Sequence, residues 1–129
     1  MKRILVIDDD VQMRQMLKQM LERQGYEVID APDGKEGLKL YRQAPTDLII
    51  TDIIMPEKEG VETIIELKRD FPDVKIIAIS GGSRGLDAHN CLSYVKGLGV
   101  SHIFTKPFEH TELLEAIQEL LGEVCCSLN

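Results

Sequence analysis

The chain has 129 residues, 43% hydrophobic and 29% charged, a length ordinary for one domain and a balance that excludes an intrinsically disordered polymer. Its formal charge of −7, from 15 basic against 22 acidic residues, argues against a nucleic-acid partner, which needs basic surface to meet phosphates. No stretch approaches the roughly 20 apolar residues of a membrane span, and acids cut off the apolar run of MKRILVIDDD too early for a signal peptide, so a cytoplasmic protein with no membrane partner is expected.

In chain order, the first β-rich run is RILVID, Arg3 to Asp8, which leads directly into Asp9 and Asp10. Met13, Met16, Leu17, Met20 and Leu21 then follow the i, i+3, i+4, i+7, i+8 template of an amphipathic helix, with Gly25 placed to end it. The methionines are read as core. YEVID, Tyr26 to Asp30, alternates polar and apolar residues and suits a sheet edge. Gly34, Gly37, Leu38 and Tyr41 form the next helical stripe, and DLIITD, Asp47 to Asp52, the third strand. Val61, Ile64 and Ile65 carry a third helix before VKIIAIS, Val74 to Ser80. A Gly-rich stretch and the pattern Ala88, Cys91, Leu92, Val95 come next, followed by HIFT, His102 to Thr105, and a last helix through Leu113, Leu114, Ile117, Leu120 and Leu121.

Five strand–helix units with nearly unbroken apolar strands predict an α/β fold, a parallel sheet covered by helices on both faces. Right-handed crossovers make a doubly wound (βα)5 sheet in the order 2-1-3-4-5 the common solution at this size. Residues 1–122 are expected to form the domain and 123–129 a short tail. Cys91, Cys125 and Cys126 lack metal-ligand spacing and are read as reduced thiols. His89, His102 and His110 are read as surface or capping residues.

Parallel strands gather the polar residues at their carboxyl ends on one rim: Asp8 and Asp9 after strand 1, Asp52 on strand 3, Ser80 on strand 4, Lys106 just past strand 5. Ligands bind outside that rim at the switch point, here between strands 1 and 3. Clustered carboxylates repel unless a cation intervenes, and a few carboxylate oxygens plus waters and a phosphate oxygen suit Mg²⁺. With metal and Lys106 offsetting charge on an incoming phosphoryl group, the central acid, Asp52, is the natural nucleophile. Ser80 is placed to hydrogen-bond a phosphoryl oxygen, and Gly81 and Gly82 leave room for its entry. Asp10, one residue farther on, is expected to cap the first helix.

DDD at Asp8 to Asp10, DIIMPEKEG at Asp52 to Gly60, SG at Ser80 and Gly81, and TKPF at Thr105 to Phe108 together resemble the receiver domain of two-component response regulators, of flavodoxin-like fold, over about residues 2 to 121. The resemblance implies that Asp52 receives phosphate from the phosphohistidine of a sensor kinase or phosphotransfer protein. It implies that Asp8, Asp9, Asp52 and the backbone carbonyl of Ile54 hold Mg²⁺, with Mn²⁺ as an alternative ion, and that Ser80, Gly81 and Lys106 contact the phosphoryl group. Pro107 matches a position usually preceded by a cis bond in the family, and Gly60 the loop after the acceptor, where it is expected to relieve a backbone constraint.

Three departures bear on output. Ile103 stands where receivers commonly carry an aromatic switch residue, and the adjacent Phe104 points to the opposite sheet face. The segment Gly82 to Val100 looks longer and richer in glycine than usual, which suits a partner-facing surface. Ile54 and Gly82, two beyond the acceptor and two beyond Ser80, lack side chains able to orient water, so unassisted dephosphorylation is expected. The downstream target is a protein of unknown identity, reached as a monomer or a phosphorylation-dependent dimer. A stand-alone, chemotaxis- or relay-type regulator is expected; the alternatives are a degenerate scaffold receiver or one excised from a larger regulator. A flavin binder would want a hydroxyl- and Gly-rich loop in place of the three acids, and an Asp-dependent phosphatase a second acid where Ile54 stands.

Overall fold

A computed structural model describes residues 2–53, 59–80, 97–105 and 108–122. Among these, five strands are β1 (Arg3–Ile7), β2 (Glu27–Ala31), β3 (Leu48–Asp52), β4 (Ile76–Ser80) and β5 (His102–Thr105). Four helices are α1 (Val11–Arg23), α2 (Gly34–Gln43), α3 (Glu59–Asp70) and α4 (His110–Leu121). All strand pairs are parallel, in the order β2-β1-β3-β4-β5, as the alternation predicts. The helical pattern at Ala88 to Val95 lies outside the described residues.

The period of two along each strand divides the core. Ile4 and Val6 of β1, Ile50 of β3 and Ile77 and Ile79 of β4 face α1 and α4, where they meet Leu17, Leu21, Leu113 and Ile117. Leu5, Ile7, Ile49, Ile76 and Ala78 face α2 and α3 and meet Leu38, Tyr41, Ile64 and Leu67. Each fully buried Leu or Ile contributes about 1.5–3 kcal/mol over its exposed state, and buried strands with apolar residues on both faces are what a parallel sheet requires. Met13, Met16 and Met20 are partly buried at the margin of the α1 side rather than at its centre, since Leu17 and Leu21 occupy the inward positions.

Local chemistry sets the helix ends. Asp10 caps α1, its side chain accepting from the N–H groups of Gln12 at 3.0 Å and Met13 at 3.3 Å, and Asp33 caps α2 by accepting from Glu36 N–H at 2.8 Å. Gly25, at φ +93°, takes the left-handed turn that sends the chain from α1 into β2. The fourth strand starts later than the apolar run suggests. Val74 spends its N–H on the Phe71 carbonyl at 3.0 Å, closing the turn after α3, so the strand begins at Ile76.

Gly60 is needed for space. Among the described residues the positive-φ glycines are Gly25, Gly99 and Gly122; a Cβ at Gly60 would instead collide with the Asp52 carbonyl oxygen and lie 2.6 Å from Ile53 Cα. The first turn of α3 therefore lies against the end of β3, and the backbone constraint at Gly60 takes the form of close approach.

Candidate functional site

Register brings the acids together. Ile7 pairs with Thr51 across β1 and β3, so the next residues, Asp8 and Asp52, leave adjacent strands side by side. Both are buried, at 1% and 5% exposure, while Asp9 is exposed. One carboxylate oxygen from each of Asp8, Asp9 and Asp52 lies within 4.8 Å of the others. Ser80 ends β4 with 0% exposure, in register with Thr105 of β5. The β3–β4 pairing continues past Asp52 through Ile53 N–H, which donates to the Ile79 carbonyl at 2.9 Å and holds the backbone beyond Asp52 in line.

The chain turns sharply between Asp8 and α1. Asp8 N–H still donates to the Ala31 carbonyl at 3.2 Å, a last rung of the sheet, while its carboxylate accepts from Asp10 N–H at 2.9 Å. This side-chain-to-backbone turn lifts Asp9 toward solvent and delivers Asp10 to the cap position. The triplet is thus divided between a buried acid, an exposed acid beside it and a helix cap.

One residue escapes sequence reasoning. Arg14, on the first turns of α1, donates through Nη1 to the Asp8 backbone carbonyl at 2.8 Å and through Nε to Asp30 Oδ2 at 2.9 Å. Lys18 lies 3.7 Å from the other Asp30 oxygen. A faint signal exists in the spacing of Arg14 and Lys18, one helical turn apart and able to face a single acid, but only the β1–β2 register brings Asp30 beneath them.

Oxygen donors alone, two of them buried and all within reach of one ion, are the donor set that Mg²⁺ takes, whereas zinc favours nitrogen and sulfur. The acids fit such an ion. Ile54, Gly81, Gly82, Lys106 and Pro107 lie outside the described residues. Ile103 and Phe104 pack on opposite faces, Ile103 toward the α2–α3 core and Phe104 toward the α1–α4 core, as their adjacency requires. Of the segment Gly82 to Val100, the described end places Leu98 and Val100 against the α2–α3 core. His102 lies 3.6 Å from Glu119 of α4, a structural surface contact.

The model of the response regulator receiver domain matches residues 4–118. The chain belongs to that family. As a receiver domain it is similar to the chemotaxis protein CheY of Thermotoga maritima, 33% identical over 121 residues that cover 92% of this chain and 97% of CheY. It is also similar to the transcriptional regulatory protein CpxR of Escherichia coli, 34% identical over 94% of this chain but 50% of CpxR; the receiver thus spans nearly all of one relative and half of the other. Among solved structures, the response regulator TrrA of Thermotoga maritima in complex with Mg²⁺ and BeF superimposes with a TM-score of 0.82 at 36% identity, covering 94% of this chain and all of that one. A CheY-like receiver from Methanospirillum hungatei gives 0.84 at 33% identity, covering 95% and 94%. Receiver domains are phosphoacceptors of two-component signalling that bind Mg²⁺ and work between histidine kinases and downstream effectors. No described helix of this receiver is long and apolar enough to cross a membrane.

Proposed function

We propose that this receiver takes a phosphoryl group from the phosphohistidine of a kinase or phosphotransfer protein onto Asp52, and that the phosphorylated form binds a downstream protein differently. The observation that carries the reading is the convergence of the Asp8, Asp9 and Asp52 carboxylates within 4.8 Å at the rim between β1 and β3, the switch point where such sheets bind ligands. Asp52 sits at the end of the central strand with 5% exposure, so the strand fixes the position of its carboxylate.

In the transfer a carboxylate oxygen of Asp52 forms the new O–P bond as the P–N bond of the donor imidazole breaks, the bonding pair staying on the imidazole nitrogen. Asp8, Asp9, Asp52 and the Ile54 carbonyl would hold Mg²⁺, with Mn²⁺ as a substitute. When bound, the ion offsets the carboxylate repulsion and the charge of the phosphoryl oxygens. Lys106, Ser80 and Gly81 are assigned to the phosphoryl oxygens, the lysine as a point charge and the others as hydrogen-bond donors. The chain consumes no substrate catalytically beyond assisting its own phosphorylation and dephosphorylation. With Ile54 and Gly82 unable to orient water, that dephosphorylation receives no help from these two positions.

Incubation with acetyl phosphate and Mg²⁺ followed by intact mass spectrometry tests the reading. The expected result is a gain of one phosphoryl group that requires Mg²⁺ and disappears in Asp52→Asn. No gain in the unaltered protein would leave a scaffold receiver instead.

A further inference from the structure

The peptide between Asp8 and Asp9 joins two of the three acids at the candidate metal centre, and it is held from outside. Its carbonyl oxygen, that of Asp8, accepts from Arg14 Nη1 at 2.8 Å. The same guanidinium is fixed on its other edge by Asp30 Oδ2 at 2.9 Å, and only 15% of the Arg14 side chain is exposed. Asp30 belongs to β2, the strand paired to β1, where it lies opposite Val6. Strand β2 therefore supports the guanidinium, and the guanidinium holds the Asp8–Asp9 peptide plane.

Fixing that carbonyl constrains the backbone dihedrals on both sides of the peptide, and with them the directions in which Asp8 and Asp9 project. Asp8 is also pinned by the sheet, through Ala31, and by the Asp10 N–H. Asp9 is exposed, and Arg14 is a constraint on its peptide that comes from outside the β1–α1 turn. The planar fork of arginine lets Nε and Nη1 serve two acceptors at once, a task a lysine ammonium on a flexible stem performs poorly.

We infer that Arg14, buttressed by Asp30, is a positioning residue for divalent-cation binding: it orients the Asp8–Asp9 peptide so that both carboxylates meet the ion without a rearrangement on binding. The inference rests on the proposed metal role of the acids. Outer contacts that orient ligands in this way are commonly worth about 10- to 100-fold in metal affinity.

The test is a Mg²⁺ titration of the metal-free protein, followed by amide NMR shifts to give a Kd, beside thermal melting in metal-free buffer. Arg14→Ala is expected to raise the Kd about tenfold or more. Arg14→Lys, which keeps the charge but not the fork, is expected to raise it nearly as much, and Asp30→Asn by several-fold. A purely structural role would lower the melting temperature and leave the Kd alone. A Kd within twofold of the unaltered protein in Arg14→Ala overturns the inference, as does full recovery in Arg14→Lys, which would reduce the effect to charge. If Arg14→Ala does not fold, Arg14→Lys and Asp30→Asn decide by the same criteria. An unaltered protein that does not bind Mg²⁺ overturns the proposed function and this inference together, an outcome distinct from binding that Arg14 does not influence.

Discussion

At the amino rim of the sheet several acids are tied to arginines or to backbone N–H groups. Arg42 at the end of α2 holds Glu66 at 2.9 Å and Asp70 at 2.7 Å across to α3, Arg69 adds a 3.0 Å contact to Asp70, and Asp47 accepts from Arg3 N–H at 2.8 Å. Hydrogen bonds from Arg69 and then Arg42 hold the Asp70 carboxyl below its ordinary range. An open cleft of about 460 Å³ at this end is lined by Tyr41, Asp47, Asp70 and Phe71 among others, and its Asp47 and Asp70 carboxylates are already engaged. At the carboxyl rim, by contrast, one carboxylate oxygen from each of Asp8, Asp9 and Asp52 lies within 4.8 Å of the others. The same residue type thus cross-braces helices at one end and converges on one point at the other. Convergence of that kind is usually retained only where a site is needed.

The largest effect expected from perturbing this contrast lies beneath the carboxyl rim. Gly60→Ala drives a Cβ into the backbone of Asp52 and Ile53, and backbone cannot rotate away, so a loss of about 2–3 kcal/mol is expected by urea unfolding. Gly37→Ala is the control. Its new Cβ meets the buried, β-branched side chain of Ile7, with Cγ1 at 2.8 Å, which costs some repacking. The nearest atoms are side chain rather than backbone, however, and the helix gains about 1 kcal/mol of propensity, so the net loss should be smaller. Equal losses at the two glycines would remove the special status of the β3–α3 contact.

Next in size is a difference in sign. Asp9→Asn removes one charge from the carboxylate cluster and should stabilise the metal-free protein by about 1 kcal/mol at low salt, while shrinking the rise in stability that Mg²⁺ brings. For the unaltered protein that rise should be about 1.4 kcal/mol at tenfold excess over Kd. Asp70→Asn, the same substitution at the amino rim, should lower the melting temperature slightly, since exposed ion pairs contribute little. Because the folded carboxyl of Asp70 titrates below the ordinary value of 3.8, its contribution is present above that pH and fades as pH falls through the folded value. Melting curves of both variants across pH 2 to 7 check the signs.

The smallest effect concerns Tyr41, whose hydroxyl is pushed above its ordinary value of 10.0, first by burial and then by the Asp47 charge. A raised value favours the protonated folded form, so this contribution is complete below pH 10 and lost as pH rises through the folded value. Tyr41→Phe keeps the edge-on contact with Phe71, whose ring centroid lies 4.9 Å away, and should flatten the alkaline loss of stability without altering the Mg²⁺ response.

Much of this was readable from the residues. The order 2-1-3-4-5 followed from five apolar strands alternating with helical stripes, and the placement of Asp8, Asp9, Asp52 and Ser80 on one rim followed from parallelism alone. Asp10 as a helix cap was readable because capping is local. What escaped depends on tertiary distance. Arg14 reaches Asp30 across sixteen positions only because β2 lies beside β1, Gly60 is constrained by a strand end rather than by its own dihedrals, and Val74 leaves the fourth strand because a turn claims its N–H.

The central claim is that Asp52 carries the phosphoryl group. Reduction of the phosphorylated protein with borohydride converts an acyl-phosphate-bearing aspartate to homoserine, which peptide mass spectrometry locates. Homoserine at position 52, absent without Mg²⁺, is the predicted result. Homoserine at position 8 or 9 instead, or a phosphoryl group carried on a histidine, would contradict the account.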